Sequence, residues 1–220
     1  MDEAEAIVPR DNEAGGAWIG VNSYGLAVAL ANVYPDPPPP VPESKISRGL
    51  LVSEALRCRD QASVMALVKR KTLSRYQPFR LIAFAPAHPP QSSLWDGSAL
   101  SVATHSAPGL VATSSSRDQE GADRIRRALF ANAAEVEGGL TPRLLEELHK
   151  SREPEPGPYA ISMERSDAGT LSMSRVRVSA DEVSFSYTPG PPHRTEAGPP
   201  LVIHRPAAAA AHPASLSDHS

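Results

Sequence analysis

A single cysteine, Cys58, in 220 residues excludes an internal disulfide and any metal site built on paired cysteines. Aromatics are scarce at 5%, so a core has to come from Leu, Val, Ile and Ala, within a hydrophobic share of 40% that suffices for one domain. Positive charge is not in excess either, with 22 Lys and Arg against 25 Asp and Glu. That balance leaves no basic field to draw a nucleic acid. No apolar run approaches the ~20 residues that cross a bilayer. The opening Met1-Asp2-Glu3-Ala4-Glu5 is acidic where a secretory signal is basic. These absences lead to the expectation of a cytoplasmic protein with no nucleic-acid partner and no transmembrane segment. They leave its oligomeric state open.

What is present is organised around residues 15–32. Two apolar runs, 17–21 and 26–31, flank Asn22-Ser23-Tyr24-Gly25. Gly25 supplies the positive φ of a tight turn, and Asn22 can bond its own backbone. Apolar runs of strand length around such a turn predict a β-hairpin, its second strand covered on both faces.

Downstream, residues 34–42 carry six prolines and predict an extended polyproline-like loop. Ser47 is placed to cap a helix reaching about Arg57, whose free amides beside Arg48 are a candidate anion site. A second helix over 61–71 puts Val64, Leu67 and Val68 on one stripe and closes on Lys69-Arg70-Lys71. Cys58, with no base at catalytic spacing, reads as a structural thiol. Strands are expected at 79–85, 93–96, 99–105 and 110–114, with Asp96-Gly97 as a hairpin turn. Ser115-Ser116-Arg117-Asp118 then caps a helix over 119–136, and Thr141-Pro142 starts another to about Lys150. Three more strands, at 159–164, 170–178 and 182–188, form an antiparallel meander. Beyond 192 the chain turns Pro, Ala and His rich. The expectation is one domain over 1–192 and a disordered tail over 193–220, its four histidines lacking metal-ligand spacing. Strand groups with helices between them define an α+β class.

Gly20-Val21-Asn22, Gly25-Leu26 and Asn32 resemble the G-x-N-x-x-G-L…N hairpin of choloylglycine-type N-terminal-nucleophile hydrolases. The wider stretch from Glu13 through Gly15-Gly16-Ala17-Trp18 to Asn22 resembles more closely the Asn-Arg-Asp-Glu family, which includes the transport and Golgi organisation 2 group. Ser47-Arg48-Gly49-Leu50-Leu51-Val52, Tyr76-Gln77-Pro78-Phe79, and Gly157-Pro158-Tyr159 leading to Asp167-Ala168-Gly169-Thr170 follow in the same order. The resemblance covers residues 10–192. It implies an αββα sandwich of antiparallel sheets with the hairpin in the middle of one of them. It also marks Trp18, Asn22, Ser47, Arg48 and Gly49 as candidate binding residues.

The departures matter as much. The family's opening Met-Cys and its Asn-Arg-Asp-Glu motif have no counterpart, and Pro9-Arg10-Asp11-Asn12-Glu13 reads as a loop entering the hairpin. Hydrolases of this class use an N-terminal Cys, Ser or Thr whose amine is the base, with preorganised donors for the oxyanion. By position Asn32 matches one such donor, or is a strand-end residue serving its own loop; Ser114 would replace a second, as a shorter group. Two explanations stand: a late start, leaving the first strand missing and residues 17–21 as an open apolar edge, or a non-catalytic relative. The leading expectation is a binding or trafficking protein, with lipid or haem handling implied by the resemblance alone. No axial ligand stands out, since His105 and His149 are isolated. The rivals are an amidase or acyltransferase with an upstream nucleophile, and a scaffold acting through the proline loop.

Overall fold

The computed structural model describes residues 4–10, 15–42, 44–106 and 110–206. Most of the expected entry loop at 9–13, and residues 207–220 of the expected tail, lie outside the described residues.

The hairpin forms as the turn chemistry predicts. β2 (Ile19–Asn22) and β3 (Ala27–Asn32) pair antiparallel, and Gly25 closes the loop at φ +82°. Leu26, Val28 and Leu30 are buried against the helices while Ala27 is buried on the opposite face, which explains the nearly continuous apolar run. Next come β4 (Phe79–Phe84), β5 (Gln91–Trp95) and β6 (Leu100–Thr104), joined by the Asp96-Gly97 turn. The Asp96 carboxylate accepts from the Ser98 and Ala99 amides, so those backbone bonds hold it below the usual carboxylate range.

The large sheet runs β1-β2-β3-β4-β5-β6, where β1 is only Ala6–Ile7. Both hairpin strands are therefore interior, β3 at the centre of the sheet and β2 beside the short outer strand. The outer side of β2 is not wholly open, because Ala6 and Ile7 pair with Asn22 and Val21. Among the described residues before the hairpin only this two-residue strand forms, with the Glu5 carbonyl taking the Ser23 amide, and no periodicity in the sequence marks it.

One face of this sheet carries α1 (Gly49–Ala55) and α2 (Gln61–Lys69), with Leu51, Val52, Val64 and Val68 fully buried against Phe79 and Leu81. Asp60 caps α2 by accepting from the Ser63 amide. α1 corrects the expected capping: the residue at its N-cap is Arg48, and no side chain caps it. The Ser47 carbonyl, not its hydroxyl, takes the Leu50 amide.

The other face meets a second sheet, β7 (Met173–Val178), β8 (Glu182–Thr188) and β9 (Leu201–His204), in that order. Val183, Phe185 and Ile203 pack there on Val21 and Ala27. β9 corrects the expectation of a disordered tail from 193, since 201–204 pair with β8 and Ile203 is buried. α3 (Gln119–Val136) and α4 (Pro142–Lys150) pack on each other, and Glu146 of α4 pairs with Arg175 of β7. The chain is thus α+β, two antiparallel sheets face to face with helices against them.

Two expected strands do not form. Residues 110–114 and 159–164 run irregularly, apart from one bridge between Glu164 and Gly169. Several of their backbone groups are taken by side chains instead, among them the Ser114, Tyr159 and Ala160 carbonyls by Arg126.

Candidate ligand cleft

The four segments singled out by sequence form one contiguous band at the end of β3. Gly16 and Gly49 cross in backbone contact: a Cβ on Gly16 would lie 2.8 Å from the Gly49 Cα, and one on Gly49 would lie 2.8 Å from the Ala17 nitrogen. The Ala17 amide donates to the Gly49 carbonyl at 3.2 Å. The close approach to Gly16 and Ala17 accounts for a glycine at position 49. Next to it, Arg48 Nη1 donates to the Pro78 carbonyl at 2.9 Å, and the Val33 amide donates to the same oxygen. Phe79 is fully buried beyond it.

Asn32 and Ser114 do come together. Ser114 Oγ donates to the Asn32 backbone carbonyl at 2.7 Å, and Asn32 Nδ2 donates to the Tyr34 hydroxyl at 3.3 Å. The two donors thus point at protein groups rather than at one shared position. Asn32 Oδ1 is buried with no hydrogen-bond partner among the described residues.

Behind Ser114 stands Arg126 of α3. Its guanidinium donates to the carbonyls of Pro158, Tyr159 and Ala160, and at 3.5 Å to that of Ser114. Burial pulls Arg126 below its ordinary value, and Asp123 acts the other way. The Gly157-Pro158-Tyr159 segment is thus a cluster of carbonyls around one cation. Tyr159 also donates to Asp118, the residue that caps α3. Nothing in the helical periodicity marked Arg126. Its one signal is its place beside Ile125, on the flank of the apolar stripe.

Arg48 and Pro78 of this band line a cleft of about 940 Å³. One wall is the proline loop, from Val33 and Tyr34 through Pro38, Pro39 and Pro40 to Val41; Pro39 also packs on Gly97. The other is Gln77-Pro78 and the loop into α3, Ser115 to Glu120. Arg48 lies on this lining, half-buried, and desolvation lowers it from its ordinary value while Tyr34 acts the other way. No carboxylate pairs with it among the described residues, whereas Arg117, the other cation in the lining, is paired with Asp167 at 2.9 Å.

The remaining sequence candidates lie elsewhere. Asn22 is fully buried and its amide is saturated: Nδ2 donates to the Leu56 and Cys58 carbonyls, and Oδ1 accepts from the Tyr24 and Leu26 amides. It ties the hairpin turn to the end of α1 and does not share the cleft. Trp18 is 47% exposed and, like Ser47, stands outside the lining. Burial raises the Cys58 thiol, away from reactivity. His105 is bonded to Ser92, and His149 packs edge-on against Phe130. Among the described residues no group of three acidic, His or Cys side chains is disposed to hold a metal, and no helix is long and apolar enough to cross a membrane.

A two-sheet α+β chain with this band of backbone crossings has a counterpart among known families. The family model for transport and Golgi organisation 2 matches residues 1–163, and the chain belongs to that family. Comparison with individual curated proteins gives no match.

Proposed function

We propose that this chain is a non-catalytic binding protein whose cleft takes an amphipathic anion of the long-chain carboxylate type. This fits the lipid handling that the resemblance implies. The observation that carries the reading is Arg48, a half-buried cation in the cleft wall with no carboxylate partner among the described residues. Its desolvation is opposed only by Tyr34 and by a hydrogen bond to the Pro78 carbonyl among the described residues, and an incoming anion would offset the rest. Val33, Tyr34, Val41 and the prolines supply apolar surface for the ligand's chain. Haem fits the lining less well, since no His, Met or Cys lines the cleft and Tyr34, which could ligate iron, already accepts a hydrogen bond from Asn32.

Hydrolysis is the weaker reading. Ser114 and Asn32 spend their donors on a carbonyl and a tyrosine hydroxyl, and no His or Lys lines the cleft beside a serine.

The test is a fluorescence titration with cis-parinaric acid and with the alcohol of the same chain. The acid should bind at least tenfold tighter than the alcohol, and Arg48→Gln should erase that preference. A melting curve checks that the variant still folds. Equal affinity for acid and alcohol, or an unchanged preference in a folded Arg48→Gln, defeats the reading.

A further inference from the structure

Away from this cleft, a groove of about 270 Å³ runs between α4 and β7. It is lined by Pro142, Leu145, Glu146 and His149 of the helix, and by every residue from Met173 to Arg177 of the strand. Successive strand residues point to opposite faces, so a groove touching five in a row opens along the strand's edge. β7 is an outer strand of its sheet: β8 pairs with one side, and no described strand is bonded to the other. The groove therefore exposes an unused ladder beneath an overhanging helix.

Its charge is one-sided. Arg175 and Arg177 are two residues apart and share the face of β7 turned away from Val176 and Val178, which pack towards the large sheet. Glu146 is engaged by both Lys150 and Arg175, and Arg177 is exposed with no ion pair among the described residues. The edge has no proline between 173 and 178, and its two arginines disfavour a basic or neutral strand while favouring an acidic one.

We propose that this edge docks an extended acidic segment of a partner protein, added to β7 as a fourth strand of the small sheet. Main-chain bonds to β7 would give the affinity. Acidic side chains at alternate positions would meet Arg175 and Arg177 on the side where α4 lies, while aliphatic ones between them would lie beside Val176 and Val178 on the other. The surface is independent of Arg48 and its cleft.

Fluorescence anisotropy with the whole chain tests this, using labelled Glu-Val-Glu-Val-Glu-Val and Lys-Val-Lys-Val-Lys-Val peptides. The acidic peptide should bind at least tenfold tighter. Arg177→Glu, on an exposed side chain, should reverse that order. The acidic peptide N-methylated at every residue keeps its charges but cannot form a ladder, and should lose binding to the unaltered protein. Equal binding of the two parent peptides, or undiminished binding of the methylated one, overturns the proposal. So does sedimentation showing a dimer that Arg177→Glu splits, since the edge then belongs to a second copy.

Discussion

Asn22 shows how one residue can be read half correctly. Its type and place beside Gly25 identify a turn that bonds its own backbone, and Oδ1 does accept the Tyr24 and Leu26 amides. The other half of the amide reaches 34 and 36 residues along the chain to Leu56 and Cys58. No spacing rule reports a bond of that range, which is why a residue of family-like pattern looked like a binding group. The same holds for Gly49, whose neighbour across the crossing is Gly16. Replacing Asn22 by Leu leaves two buried carbonyls and two amides unpaired, and should cost about 3–5 kcal/mol. Asn22→Asp keeps an acceptor for the amides but sets a carboxylate oxygen against two carbonyls, and should be no milder. Urea unfolding measures both, and a loss below ~1 kcal/mol for either would show that the loop re-forms without it.

At the scale of elements, what was legible is what local chemistry decides. Gly25 and Asp96-Gly97 fix the two hairpins, and Thr141-Pro142 starts α4 as expected. Ser47 fails because the chain at Gly49 is governed by its crossing with Gly16, which leaves the helix to start without a side-chain cap. The segments 110–114 and 159–164 have strand-like composition, yet Arg126 collects the carbonyls a ladder would need. α3 begins at Asp118, whose carboxylate accepts from the Gly121 amide and the Tyr159 hydroxyl. Those bonds, the Gly121 one foremost, hold Asp118 below the usual carboxylate range. A depressed folded value stabilises the fold above the unfolded value of about 3.9 and is lost as pH falls through the folded one. Asp118→Asn keeps the cap oxygen but not the charge. Melting temperatures of the two proteins should differ most between about pH 5 and 7 and converge as pH drops below ~4. A gap that stays constant over that range would remove the charge from the account of this helix start.

For the molecule as a whole, the two sheets rest on unequal cores. The large sheet is clamped by α1 and α2 over Phe79, Leu26, Leu51 and Leu81, whereas the small sheet is joined to it through Val183, Phe185, Ile203, Val21 and Ala27. β9, whose short aliphatic run Leu201-Val202-Ile203 is masked by the Pro-, Ala- and His-rich composition on either side, supplies one of those five. Its Ile203 lies opposite Val183 in the register and is 7% exposed. Ile203→Ala should therefore cost about 2–4 kcal/mol, as buried Ile-to-Ala changes do. Where that loss appears tests how the layers are coupled. If the small sheet opens as its own cooperative unit, amide exchange in the variant rises across β7, β8 and β9 while β3 and β4 keep their protection. Equal acceleration in β3 and β4 would mean that the sandwich unfolds as one body, with the small cluster between the sheets binding them as firmly as the helices bind the larger one.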